Sequence, residues 1–340
     1  MTLAISGTTG ITLATQFDSA STFAFKNRFI NGQMQVAQRA TSATVTAGTT
    51  VPTISTGYPC VDRFFVYSVG ANVTAAQVAG SGANRNNLQV TGAASVTAVG
   101  IGQRIEVLNS YDLAGSTCTL SVNISNSLLT TVTWTASYAT TADTFGTIGT
   151  PTKTQIATGT FTVSGTLANY SAQISVPAAA TTGIEILFTV GAQISGTWVI
   201  GNVQFEKGST ATSFDYRPYG TELALCQRYY YRNFPAAVNK TFCMSFNSTT
   251  VLAYGHLQFP VSMRTSPTAL EQSGTANNYL IAYLATSTTC SAVPTFVFAS
   301  PDGATIAATV ASGLTAGQGS QIRADATNGA AAYLGWSAEL

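Results

Sequence analysis

Charge is what this chain has least of. Only 8% of its 340 residues are Asp, Glu, Lys or Arg, against roughly 25% in ordinary soluble domains. The 14 basic and 13 acidic residues nearly cancel, leaving a net charge of +1. No basic run follows a phosphate backbone, so no nucleic-acid partner is expected. Histidine occurs once, as His256, which excludes a metal site built on two histidines. A Ser-His-Asp triad would have to use that residue, yet no G-x-S-x-G elbow accompanies it. His256 therefore reads as a structural or surface residue. The five cysteines, Cys60, Cys118, Cys226, Cys243 and Cys290, show no C-x-x-C spacing, so neither a disulfide framework nor a zinc site is signalled. They are expected to be reduced and buried. No apolar stretch approaches the ~20 residues of a membrane helix, and membrane insertion is not expected. The N-terminus lacks the basic start, apolar core and cleavage site of a signal peptide.

What is present is apolar and hydroxylated. Hydrophobic residues make up 45%, with 17 Phe and 14 Tyr, enough for sizeable cores and too many for a disordered chain. The surface must then be covered by Thr, Ser, Asn, Gln and Gly. The length suits two or three domains.

Period-two alternation is the main structural signal. Cys118, Leu120, Val122 and Ile124 alternate with Thr, Ser and Asn, and Ile184, Ile186, Phe188 and Val190 form another inward set. Similar runs near residues 61–67, 103–108, 131–135, 160–163, 170–176 and 197–206 bring the strands to about eight, as in a jelly roll. Further runs lie near 242–246, 255–260, 278–283, 295–299, 306–310 and 333–340. Between the two sets, Pro218 holds the chain extended, and Thr221 can cap a short helix with Leu223, Cys226 and Tyr230 on one face. No fixed repeat is visible. The expected fold is all-β: an N-terminal attachment segment (1–24), a jelly-roll-like β-sandwich (25–217), a short helical linker (218–232) and a second, C-terminal β-sandwich domain (233–340).

Candidate sites are few. The carboxylates Asp62, Glu106, Asp112, Glu185 and Glu206 form no recognisable pair for glycoside hydrolysis, so no catalytic residue is assigned and the chain is expected not to be an enzyme. Alternation over 197–206 turns Trp198 and Ile200 away from Val203 and Phe205. That marks either a partner-facing surface or a register change at a bulge near Gly201. Asn277 and Asn328 fall in runs rich in Ser, Thr, Asn and Gly (272–277 and 317–328, with 286–291), expected as loops able to hydrogen-bond a sugar. Trp134 reads as core, and Trp336 as core or subunit interface. Arg228-Tyr229-Tyr230-Tyr231-Arg232 has the composition of a base-stacking platform, but its place after the linker helix favours packing.

One stretch carries a family resemblance. Residues 201–232, GNVQFEKGSTATSFDYRPYGTELALCQRYYYR, resemble the junction of many phage and prophage tail-fibre and tail-tip proteins, where a G-x-Q-x-E-x-G-x-x-A-T-x-F-x-x-R-P-Y-G strand and loop precede an E-L-x-L-C-Q-R-Y-Y helix. Residues 6–12 (SGTTGIT), 25–34 (FKNRFINGQM), 103–106 (QRIE), 112–115 (DLAG), 260–264 (PVSMR) and 337–340 (SAEL) are similar to other parts of such proteins. The resemblance implies a carbohydrate-binding-module-like sandwich in a homotrimeric, adhesive virion protein. A short tail fibre is expected, attached to the tail or baseplate through residues 1–24, binding a host surface glycan and assembled in the bacterial cytoplasm. A capsid decoration protein and a polysaccharide depolymerase are the alternatives. Related sandwiches often hold a structural Ca²⁺. Here the run Asn31-Gly32-Gln33-Met34-Gln35 lacks the acidic ligand such sites often have, and no cofactor or metal residue is assigned.

Overall fold

The computed structural model describes residues 5–6, 10–11, 25–81, 84–233, 238–284 and 286–340. The expected attachment segment 1–24 lies outside them, save that Ile5–Ser6 (β1) pairs antiparallel with Gly10–Ile11 (β2). The fold is all-β, with one α-helix among the described residues. It divides into two compact units. Met1–Gln35, Ser42–Val51 and Phe64–Tyr219 form the first, and Val36–Thr41, Pro52–Arg63 and Gly220–Leu340 the second.

The first unit is a jelly-roll-like sandwich. Its strands are Ser42–Val45 (β3), Phe65–Val69 (β4), Val73–Ser81 (β5), Asn84–Thr91 (β6), Ala98–Ile105 (β7), Thr117–Asn126 (β8), Thr131–Ala139 (β9), Lys153–Thr162 (β10), Ala168–Ser175 (β11), Ile184–Val190 (β12) and Thr197–Lys207 (β13). One sheet runs β10-β9-β12-β7-β4 and the other β11-β8-β13-β6-β5-β3. Alternation selects the core as expected: Leu120, Val122, Ile124, Ile184, Ile186 and Phe188 are fully buried. Trp134 is core as well, its indole lying where a Cβ on Gly159 would stand.

Trp198 and Ile200 require a correction. Both are 0% exposed, as are Val203 and Phe205, so neither offers a ligand or partner surface. The cause is the bulge: pairing of β13 with β8 shifts between Gly201 and Gln204, and Asn202 takes φ 44°. One extra residue reverses the faces of the strand, so even-numbered side chains before it and odd-numbered ones after it enter the same core.

Beyond the bulge, β13 takes a new partner. Val203 N–H donates to Gly32 O (2.9 Å) and Arg28 N–H to Phe205 O (2.8 Å). Asn27 bridges this seam, its Nδ2 donating to Val203 O (3.0 Å) and its Oδ1 accepting from Phe205 N (3.1 Å). Gln103 clasps both backbone groups of Ile30 at 2.8 Å. On the outer side, Glu206 accepts Thr212 N (2.9 Å) and Thr212 Oγ1 (2.6 Å), and Gln204 accepts Asp215 N (2.8 Å). Arg217 donates to Phe29 O (3.1 Å) and to Asn27 O. The motif residues of 25–34, 103–106 and 201–217 thus form one buried polar lattice. Gly32 is required by close approach: a Cβ there would stand 2.2 Å from Val203 O. Gly32→Ala should cost about 1–3 kcal/mol, read as a lower urea midpoint for the sandwich; an unchanged midpoint would show that the seam gives way.

Directly after Pro218 comes Tyr219–Gln227 (α1), which from Gly220 onward belongs to the second unit. The helix buries Glu222 and Cys226 rather than Leu223, and Tyr230 lies beyond it, in a strand. The strands are Tyr230–Asn233 (β14), Thr241–Asn247 (β15), Leu252–Gln258 (β16), Glu271–Gln272 (β17), Tyr279–Tyr283 (β18), Thr286–Ser300 (β19), Gly303–Val310 (β20), Gly319–Ala324 (β21) and Leu334–Ser337 (β22). The expected second sandwich is instead a closed barrel, β15-β16-β20-β19-β18-β21, beside a small sheet β14-β22-β17. Closure needs strands that bend. The 15-residue β19 shifts register at three places along β20, with Pro294 among them, and bulges supply that curvature. The same strand absorbs 286–291, and β21 (Gly319–Ala324) absorbs half of 317–328, so those residues are ladder rather than loop.

Candidate functional site

Two groupings in the second unit draw on chemically capable side chains, one buried and one exposed. The buried one surrounds the chain's last residues. Glu339, 0% exposed, pairs with Arg63 and faces Arg39 at 3.8 Å. The guanidinium of Arg63 lies 3.5 Å from the Tyr229 ring centre and that of Arg39 3.4 Å from Tyr230. Arg264 donates to Ala338 O (2.8 Å) and Glu339 O (2.9 Å), and Tyr58 OH to Leu340 O (3.0 Å). The Arg-Tyr-Tyr-Tyr-Arg run is therefore packing: Tyr229 and Tyr230 are buried, and Trp336 is stacked on Tyr231. Burial alone would lower the Arg63 pKa, but Glu339, Tyr229 and Tyr58 outweigh it and hold the guanidinium charged. Asp62 accepts Gln38 N (2.9 Å) and Gln38 Nε2 (2.5 Å); burial pushes its carboxyl up to about 6 against those hydrogen bonds and Arg39.

The cysteines are free and buried, as expected. Burial pushes Cys60 and Cys118 up to about 11 and Cys243 and Cys290 up to about 12, and Cys226 is raised for the same reason. With the thiolate suppressed and unreachable, a thiol reagent at pH 8 should label none of the five in the native protein and all five in denaturant. Labelling of one cysteine in the native state would contradict this. Among the described residues no three His, Cys, Asp or Glu side chains stand close enough to share a metal ion. The turn at residues 31–34 closes on itself through Met34 N–H to Asn31 O (2.8 Å).

Asn277 and Asn328 are both exposed, on segments joined through Asp325. Asn277 sits in the 3₁₀ turn Ala276–Asn278, whose last carbonyl accepts Asp325 N–H (2.8 Å), while Asp325 Oδ1 accepts Asn328 N–H (2.9 Å). Trp198 and Ile200 belong to the core of the other unit.

The exposed grouping lies on the barrel wall. Register places Gln321, Met244, His256, Thr305 and Phe298 in one cross-strand row, with Gly319, Phe246, Tyr254 and Ala307 in the next. Met244 is 66% exposed, Phe298 60% and Phe246 54%. The Phe246 and Tyr254 rings lie 6.0 Å apart, and His256 Nδ1 is 3.2 Å from Thr305 Oγ1. These side chains line a groove of about 560 Å³. A second hollow of about 250 Å³ shares Met244 and adds Tyr283, Leu284 and Arg323. The cause is the bore of the barrel. Six strands enclose little space, so Ala253, Gly255, Ala304 and Ala308 fill inward positions among Leu257, Ile306 and Ile322, while Met244, Phe246 and Phe298 point outward. The pattern misleads in sequence, since Phe242, Met244 and Phe246 share a period and read as core. A register shift between Thr241 and Cys243 separates them. The readable signal was in β16, where the small residues alternate with Leu252, Tyr254 and His256.

No family model matches the chain, and no curated protein matches it. Solved structures similar to it include a carbohydrate-binding module of family 4, at 11% identity over 52% of this chain and 98% of that one, with a TM-score of 0.33. The enzymatically active domain of tailspike protein 4 from bacteriophage CBA120 is 18% identical over 54% of this chain and 22% of that one (TM-score 0.33). The carbohydrate-binding and catalytic modules of a Clostridium thermocellum xylanase, complexed with xylohexaose, are 14% identical over 51% of this chain and 27% of that one (TM-score 0.29). Likenesses at this level assign no function.

Proposed function

We propose that this chain is a non-enzymatic structural and adhesive protein of a tailed-phage particle, a short tail fibre that acts as a homotrimer and binds a host surface glycan. The observation behind this reading is the outer surface of the barrel. It presents Met244, Phe246 and Phe298 to solvent with no charged side chain in the groove they line, and exposed apolar patches of this kind mark contact surfaces. The motifs of the tail-fibre resemblance support it from the other side. Their polar residues are spent on buried lattices in both units, which suits a scaffold that must be rigid rather than one that must react. The exposed amide groups of Asn277 and Asn328 are suited to sugar hydroxyls.

Imaging particles with this protein labelled, together with binding of the purified chain to host surface polysaccharide, tests the reading. Label at a fibre tip and saturable binding without release of reducing ends are expected. Label spread over the head would favour a decoration protein, and released reducing ends a depolymerase; either overturns it.

A further inference from the structure

We infer that Thr212 and Gln204 join through a self-formed ester, with Glu206 as the proton carrier. The link forms once in each chain and uses no outside substrate, so it stands apart from glycan binding and leaves the proposed non-enzymatic role intact. Glu206 Oε2 accepts the Thr212 hydroxyl at 2.6 Å, the place of a general base beside a nucleophile. Gln204 Nε2 donates to Glu206 Oε1 at 2.9 Å and lies 3.4 Å from Thr212 Oγ1, so the amide carbon is one bond away from the atom that faces the hydroxyl. Gln204 Oε1 accepts Asp215 N–H at 2.8 Å, a donor already aimed where negative charge develops when the carbonyl is attacked. Lys26 Nζ donates to Thr212 Oγ1, which favours negative charge on that oxygen. Gln204 and Glu206 are buried, which keeps water, the competing nucleophile, from the amide.

A lattice that serves packing alone needs only that each polar atom be paired. This one also gathers a hydroxyl, its proton acceptor and an oxyanion donor around a single carboxamide. The step balances. Thr212 Oγ1 bonds to Gln204 Cδ and its proton passes to Glu206. The Cδ–Nε2 bond then breaks, and Glu206 returns the proton to the nitrogen, which leaves as ammonia. Nothing is oxidised or reduced. Ammonia is protonated and diluted into solvent, which draws the exchange forward. In the unreacted chain Oγ1 stands at the edge of the amide, so attack requires it to slide onto the face. Catalytic hydrogen bonds are commonly misaligned before reaction and tighten on the way to the transition state.

Intact mass spectrometry of the full chain tests this. The folded wild type should be lighter than its sequence by one ammonia. Trypsin cuts after Lys207, between the two partners. The peptide ending at Lys207 and the one beginning at Gly208 should therefore travel as one, and hydroxylamine should part them. Thr212→Ser, which keeps the hydroxyl, should keep the loss of ammonia. Thr212→Val, which keeps the shape without the hydroxyl, and Glu206→Gln, which removes the proton carrier, should both show the full sequence mass. A folded wild type at full sequence mass would overturn the inference. So would a loss of ammonia that persists in Thr212→Val, which would belong to another amide. A linked peptide that contains Lys26 in place of Thr212 would overturn the assignment of the nucleophile.

Discussion

Replacing Glu339 by Gln should lower the stability of the second unit by about 3–5 kcal/mol, the loss typical of breaking a buried ion pair from one side. Glu339 is 0% exposed and Arg63 is 1% exposed. Without the carboxylate, the Arg63 guanidinium stays in a dry site that has lost the negative charge paired with it. That pair and the bond from Tyr58 to Leu340 are among the ties of segment 52–63 to the unit. The urea transition of the second unit should therefore move to lower denaturant, while that of the sandwich stays in place. The double variant Arg63→Met, Glu339→Leu should recover more than half of the loss, because burying two apolar groups avoids the stranded charge. A Glu339→Gln midpoint equal to wild type would show that water reaches the pair.

The sandwich core was legible because its strands alternate cleanly. Cys118 to Ile124 and Ile184 to Val190 identify their own inward faces. The strands β5 and β6 were not legible, since Ala, Asn and Gln fill positions that Val or Ile would mark. Asn84 and Asn87 are buried there by a hydrogen bond of 2.6 Å to each other, which no alternation reports. The bulge after Gly201 was visible as one of two readings of a broken alternation. Only pairing with β8 on one side and residues 28–32 on the other decides between them.

The barrel was hidden by its own irregularity. Three register shifts and Pro294 erase the period of β19, and over residues 252–256 of β16 the small side chains, Ala253 and Gly255, are the buried ones. The capture of 36–41 and 52–63 by residues some 200–300 positions later has no local signature at all. It rests on the pairing of Arg63 with Glu339 and of Gln38 with Tyr230, contacts of charge and hydrogen bonding rather than of pattern. Of the site candidates, Asn277 and Asn328 stood out as surface amides. Met244, Phe246 and Phe298 did not, because exposed apolar residues on a strand look like core until the register is known.

The second large effect concerns pH. The Asp62 carboxyl is raised from 3.8 to about 6, first by burial, against the hydrogen bonds from Gln38 and the charge of Arg39. A carboxyl that holds its proton more tightly when folded favours the folded state where it is protonated. Its contribution is fully present below the unfolded value near 3.8 and is lost as pH rises through about 6. The gap corresponds to about 3 kcal/mol. Other carboxylates titrate over the same range, so the comparison must be with Asp62→Asn, which keeps the acceptor for Gln38 N–H and cannot ionise. Urea midpoints of the two proteins, taken from pH 4 to pH 8, should diverge, the wild type losing ground to the variant between pH 4 and 7 and by a constant amount above. At low pH the wild type should be the more stable, since the variant's amide has no acceptor for Gln38 Nε2. Parallel curves would mean that Asp62 titrates alike in both states and that Gln38 and Arg39 fully offset its burial.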